Sequence, residues 1–115
     1  MHGCPGFPQV AIKAGYSGIM TTPQTEVDLS KIHHNTRYLV ERLKARGITV
    51  TAVTKAVCDY PKIAQAMLEG GAVDLGEARV SNVKRLRGAG ITTPITLIRT
   101  PLLSQACLLY TSDAA

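Results

Sequence analysis

The stretch Ile48-Thr-Val-Thr-Ala-Val-Thr-Lys55 decides how this chain is read. It is rich in Val, Ile and Thr and has the length of an ordinary strand, so it predicts a β-strand buried on both faces. A lysine closing such a strand carries its amine to the C-terminal mouth, the end at which barrels and open α/β sheets build their sites. Desolvation makes a lysine amine nucleophilic, which is what a Schiff base with an aldehyde cofactor or a carbonyl substrate requires. The competing reading is a lysine whose stem closes the strand while its amine reaches water.

Upstream, Thr25-Glu-Val-Asp-Leu29 reads as a short strand. Ser30 then reads as the cap of a helix to about Arg46, with Ile32, Leu39, Val40 and Leu43 at mostly helical spacing. Arg42, Lys44 and Arg46 suit the negative end of the helix dipole, and Gly47 supplies the stop. Downstream, Pro61 fits the first turn of a second helix with Ile63, Ala66 and Met67 as its buried stripe, ended by Gly70-Gly71. Ala72-Val-Asp-Leu75 reads as a strand closed by Gly76, followed by a third helix from about Glu77 to Arg87 that buries Val80, Val83 and Leu86. Gly88, Gly90 and Pro94 punctuate the exit, and Ile95-Thr-Leu-Ile-Arg99 is a further strand with Pro101 behind it.

The order β-α-β-α-β-α-β is a run of βαβ units on a parallel sheet. An open flavodoxin-like sheet usually carries five strands and a closing helix. A complete (β/α)8 barrel needs about 250 residues. The fold class expected is therefore α/β: a partial (β/α)8 TIM-type barrel, about the first half, with parallel strands.

The chain has 115 residues, room for one domain at most, and with 45% apolar but only 4% aromatic residues and no Trp its core must be aliphatic. The formal charge of +5 is spread over helices, as in Arg37, Arg42, Lys44 and Arg46 and again in Arg79, Lys84, Arg85 and Arg87. Phe7 and the tyrosines are scattered, so no stacking platform accompanies the charge; solvated helix faces are expected and no nucleic-acid partner. Cys4, Cys58 and Cys107 are odd in number and form no CxxC pair, which argues against a disulfide framework and a cysteine zinc site and fits a reducing compartment. No apolar stretch approaches the roughly 18–20 residues needed to span a bilayer, and the first residues do not read as a signal peptide. A soluble cytoplasmic protein without a membrane partner is expected. The glycines form neither GxGxxG nor a P-loop. His33 and His34 are adjacent on a helix and diverge by about 100°, so no metal site is expected of them.

Residues 1–24 carry Gly, Pro and Thr without periodicity and are expected to be an unstructured extension, with Met20 as an alternative start. Residues 25–104 form the patterned unit. Residues 105–115, ending Cys107-Leu-Leu-Tyr-Thr-Ser-Asp-Ala-Ala115, continue no barrel pattern; they resemble translated adapter sequence and are expected to be a non-native tail.

Five blocks carry a family resemblance: V-D-L-S-K-I-H-H-N-T at 27–36, T-A-V-T-K-A-V-C at 51–58, I-A-Q-A-M-L-E-G-G at 63–71, L-G-E-A-R-V-S-N-V-K-R-L-R at 75–87 and P-I-T-L-I-R at 94–99. In this order and spacing residues 25–104 resemble the N-terminal part of the alanine racemase-like barrel, and most of all the alanine/ornithine racemase branch. The resemblance implies a pyridoxal 5'-phosphate (PLP) enzyme and places Lys55 on the lysine that bears the cofactor as a Schiff base. It implies a PLP-dependent racemase, an isomerase acting on a small amino acid of the ornithine/alanine type, in a full-length homodimeric parent, with Lys55 as acid/base on one face of the substrate. It further brings Cys58, Glu77 and Arg79 near the cofactor, whereas by their residue types alone Cys58 is a small apolar residue and Glu77 and Arg79 are helix-start charges. Asn82 reads as structural, and Asp74 needs a partner if buried. Alternatives are a non-catalytic PLP-binding homeostasis protein on the same barrel and a PLP-free Schiff-base aldolase barrel. This stretch alone is expected to be inactive.

Overall fold

The computed structural model describes residues 10–12, 25–57 and 60–113. Its elements are β1 (Val10–Ile12), β2 (Thr25–Val27), α1 (Leu29–Lys44), β3 (Thr51–Val53), a 3-10 turn (Lys55–Val57), α2 (Pro61–Glu69), β4 (Asp74–Glu77), α3 (Val80–Gly88), β5 (Ile95–Leu97), a second 3-10 turn (Leu103–Gln105) and α4 (Ala106–Asp113). Strands β3, β4 and β5 lie side by side in sequence order, all parallel, and the chain has the expected α/β architecture of a partial barrel.

Three local expectations change at the start of the chain. Within the stretch expected to be unstructured, Val10–Ile12 pairs in parallel with β2, Val10 opposite Thr25 and Ile12 opposite Val27. Three residues of ladder are too few to announce themselves by pattern. The strand predicted over 25–29 ends at Val27, because Asp28 rather than Ser30 caps α1. Its carboxylate accepts from the backbone N–H of Ser30 at 3.0 Å and of Lys31 at 3.3 Å, and the Ser30 hydroxyl donates to the same oxygen. An Asp at this position satisfies two orphan amides and places negative charge at the positive end of the helix.

The decisive strand is shorter and more one-sided than its sequence suggests. Ladder pairing covers Thr51–Val53 only, and Lys55 already belongs to the 3-10 turn. Ala52 and Thr54 are buried, while Thr51, Val53 and Lys55 are exposed. Ala52 and Leu75 face a core completed by Ala64, Ala72 and Leu86, against which Met67, Leu68, Ile91 and Ile95 pack. The other face carries Val53, Gly76 and Ile98, for a Cβ on Gly76 would lie 3.1 Å from Val53 and 3.4 Å from Ile98. Helices cover one face only, leaving Val53 42% and Ile98 46% exposed. In a barrel this second face points inward, and strands buried on both sides in the closed form read as continuous apolar runs.

Helix α2 follows its prediction, with Pro61 in the first turn and Gly70 at the C-cap. It lies close to α1, because a Cβ on Gly70 would stand 2.8 Å from Thr36 Cβ and 3.0 Å from the His33 carbonyl oxygen. Strand β4 runs on through Gly76 to Glu77, so Gly76 continues the strand that it was expected to close and Glu77 ends a strand instead of opening a helix. Helix α3 starts at Val80 with Arg79 as its N-cap and buries Val80, Val83 and Leu86 as expected, with Asn82 besides. The final strand stops at Leu97. Within 105–115, where no pattern element was expected, Ala106–Asp113 is helical and touches α3. Asp74 lies in β4, and its buried Oδ1 has no hydrogen-bond partner among the described residues. Among the described residues no helix is long and apolar enough to cross a membrane.

Candidate active site

The parallel register brings the strand mouths to one level. Val53 pairs with Gly76 and Gly76 with Thr96, so Lys55, Ala78 and Ile98, each two residues further on, stand at equal height at the C-terminal edge. A cleft of about 400 Å³ opens there, lined by Lys55, Ala56, Glu77, Ala78, Arg79, Asn82 and Arg99. That volume lies in the range of small-molecule sites, roughly 300–1,000 Å³.

The floor of the cleft is rigid. Glu77 is 0% exposed. Its Oε2 accepts from the Thr54 hydroxyl at 2.7 Å; its Oε1 accepts from the Ala78 backbone N–H at 2.8 Å and the Asn82 side-chain amide at 3.1 Å. A buried carboxylate is tolerated when its oxygens are satisfied in this way. The backbone adds to the lock: Thr54 N–H donates to the Gly76 carbonyl at 3.1 Å, Ile98 N–H to the Glu77 carbonyl at 2.8 Å, and Val57 N–H to the Thr54 carbonyl at 3.1 Å. Three strand mouths and the first turn of α3 thus meet at Glu77, and Lys55 leaves the sheet directly after a residue held on both side chain and backbone.

The rim is cationic. Lys55, Arg79 and Arg99 line the cleft and are exposed, while its one carboxylate is occupied by neutral donors. Ala56 and Ala78 leave space between the charges. The arrangement offers an amine open to attack on a carbonyl carbon, beside guanidinium groups suited to an anion.

Of the residues expected near the cofactor, Lys55, Glu77 and Arg79 line one cleft, whereas Cys58 lies outside the described residues. Glu77 is a buried tie in the floor, not a solvated helix-start charge. Asn82, read as structural, is 6% exposed and holds Glu77 from below. Arg99 was not singled out by sequence reading; its place at the end of an apolar strand is the same signal that singled out Lys55. His33 lies apart, lining a groove between α1 and α2 with Lys62 and Glu69. Among the described residues no group of three His, Cys, Asp or Glu side chains could hold a metal ion.

The sequence profile described as alanine racemase, N-terminal domain, matches residues 27–113. The chain belongs to this family. It is 37% identical over 86 residues to a lysine racemase of Thermotoga maritima, covering 75% of this chain and 24% of that protein. It is 44% identical over 72 residues to an alanine racemase of Mycobacterium avium, covering 60% of this chain and 18% of that protein. Among solved structures it superposes on alanine racemase from E. faecalis with a TM-score of 0.70 at 29% identity, over 76% of this chain and 24% of that one. The alanine racemase of Bacillus anthracis with bound L-Ala-P gives the same TM-score of 0.70 and 29% identity, over 76% of this chain and 23% of that one. The chain therefore spans a quarter or less of the length of these racemases, and within the family the fold of the matched part is that of their TIM barrel.

Proposed function

We propose that this chain is the Lys55-bearing part of a PLP-dependent amino acid racemase of the ornithine/alanine type. The observation that supports this most is the position of Lys55: an exposed amine at the mouth of a parallel strand, on the rim of a cleft whose floor is tied by Glu77 and whose rim is otherwise cationic. An amine and two guanidinium groups form a donor set suited to an aldehyde that carries an anionic phosphate. When bound, PLP supplies an electron sink that stabilises negative charge on the substrate α-carbon.

Within that setting Lys55 has two tasks. Its amine would hold the cofactor covalently, and in its free form would remove or return the α-proton on one face of the substrate. Racemisation needs a second acid/base on the opposite face. We assign it to another part of the full-length protein or to a partner subunit in a homodimer, so that the present stretch alone does not racemise. The tied floor keeps the start of the Lys55 side chain fixed while its amine swings between these tasks.

The test is borohydride reduction of the protein loaded with PLP, followed by peptide mapping. Label on Lys55, lost in Lys55→Ala, is expected; stoichiometric label retained in that variant would falsify the assignment. Chiral analysis of ornithine, alanine and lysine incubated with the full-length protein separates a racemase from a carrier that only binds the cofactor.

A further inference from the structure

Side chains alternate along β4. Leu75 packs in the core and Glu77 binds Thr54 and Asn82 on the same, helix-covered side, so Asp74 and Gly76 belong to the opposite face. That face points inward in a barrel. Asp74 pairs with Thr51 at the N-terminal end of the sheet, whereas Ala78 at the cleft lies four residues further on, about 13 Å away along the strand. Asp74 therefore stands at the bottom of the barrel interior, apart from anything bound at Lys55. The residue is half-buried, and its Oδ1 is buried without a hydrogen-bond partner among the described residues. Its neighbours at that level do not serve it: the Thr51 hydroxyl leaves Oδ1 unbonded, and Pro94, one residue before the Ile95 that pairs with Leu75, has no N–H. Lys55, Arg79 and Arg99 line the cleft at the other end of the sheet, and Arg87 is committed to the Ile91 and Thr93 carbonyls.

From this we infer that Asp74 is the receptor for one cationic side chain, an Arg or a Lys, that points inward from the strands following β5, and that this pair sets how the barrel closes. The inference rests on the barrel fold and not on the chemistry at Lys55. Closure covers the inward face and takes the carboxylate further from water. A buried carboxylate needs a partner, and a cation both bonds the oxygens and cancels the charge, which a neutral donor does not. A barrel layer takes its side chains from alternate strands, so the layer of Asp74 continues on the strand two places beyond β4, the first after β5. Apolar layers close in any register that fills the volume. A single ion pair among them penalises every register that leaves either charge alone.

Urea unfolding of the full-length protein tests the pair. Asp74→Asn keeps the shape and an acceptor oxygen but removes the charge, and is expected to lower the midpoint by about 1 M. The cation is located by changing to Met, one at a time, each Lys and Arg on the strands after β5. One of these changes is expected to lower the midpoint by a similar amount in the wild-type background, and to recover at least half of the loss in an Asp74→Leu background, because an apolar pair can replace a buried ion pair. If the single variants fail to fold, soluble yield gives the same comparison: a soluble double variant beside two insoluble singles supports the pair, and a double as insoluble as the singles overturns it. An Asp74→Asn protein with the wild-type midpoint would mean that water or a neutral donor serves the carboxylate, and would also overturn it. So would a scan in which no Lys or Arg couples to Asp74. Borohydride labelling of Lys55 by PLP is read separately, so an uncoupled Asp74 beside a labelled Lys55 rejects the pair and leaves the proposed function standing.

Discussion

The hydroxyl of Thr54 donates to the carboxylate of Glu77 at 2.7 Å, joining the residue before Lys55 to the end of the neighbouring strand, and both side chains are completely buried. Both residues continue the helix-facing side of the sheet, where Ala52 and Leu75 pack in the core. Polar side chains on that side have no water to turn to, so each depends on the other. This pair fixes the level at which the sheet ends and the cleft begins.

Replacing Glu77 by Ala leaves the Thr54 hydroxyl and the Asn82 amide buried without their acceptor. The cost is about 2–4 kcal/mol, the range for breaking a buried network. Glu77→Gln is milder, about 1 kcal/mol, because its carbonyl can still accept from Ala78 and Asn82 while the Thr54 hydroxyl turns to accept from the new amide. Urea unfolding of both variants checks the order. A Glu77→Ala chain as stable as Glu77→Gln would show that the floor is not held by this network.

Gly71 ends the α2 turn at φ 110°, and a Cβ there would stand 3.0 Å from Val40 Cγ1 on α1. Gly71→Ala is therefore strained in its backbone and crowded against a neighbouring helix, and is expected to cost about 1–3 kcal/mol. Pairing it with Val40→Ala removes the crowding but not the φ penalty. Denaturation midpoints of the two single variants and the double variant separate the terms: the coupling energy reports the contact, and the remainder reports the backbone.

The strand and helix order was legible because Gly, Pro and the apolar spacing mark most of the turns between 47 and 94; the turn at Ala78-Arg79 carries neither Gly nor Pro. Lys55 was legible for the same reason, since a charge ending an apolar run stands out. What escaped was decided by partners far away in sequence. Glu77 looks like a helix-start carboxylate until its ties to Thr54 and Asn82 are seen, and the glycine before it reads as a stop although a Cβ there would merely crowd Val53 and Ile98. One-sided burial escaped as well: the apolar run from Ile48 to Val53 is written for a face that these helices do not cover. Asp28 outranked Ser30 as a cap although both are good caps, because the helix begins at Leu29.

Arg87 secures the connection into β5. Its Nη1 donates to the Ile91 carbonyl at 2.8 Å and the Thr93 carbonyl at 2.6 Å, holding the loop that delivers Ile95 and then Arg99. Arg87→Ala removes both bonds and is expected to cost about 1–2 kcal/mol and to speed amide exchange at Leu75, whose N–H bonds the Pro94 carbonyl at 3.0 Å. Arg87→Lys offers a compact ammonium in place of a fork and restores only part of the loss. Exchange at Leu75 that is the same in wild type and Arg87→Ala would show that the loop holds without its strap.

Acid is expected to weaken the cap at the start of α1. The Asp28 carboxyl is held below its ordinary value of 3.8, chiefly by the Ser30 hydroxyl and next by the Lys31 backbone N–H, both of which favour the ionised form. A carboxyl whose folded-state pKa is depressed stabilises the fold fully above its unfolded value and loses that contribution as the pH falls through the folded one. The stability difference between wild type and Asp28→Asn is therefore expected to be constant from neutral pH down to about 5 and to shrink below it. The asparagine still caps through its carbonyl oxygen but carries no charge to titrate. Asp28→Ala loses the cap at every pH and should be the least stable of the three at neutrality. Helicity followed by circular dichroism during urea unfolding at several pH values gives both comparisons; a wild-type advantage over Asp28→Asn that persists unchanged in acid would show that the charge on Asp28 contributes nothing to the cap.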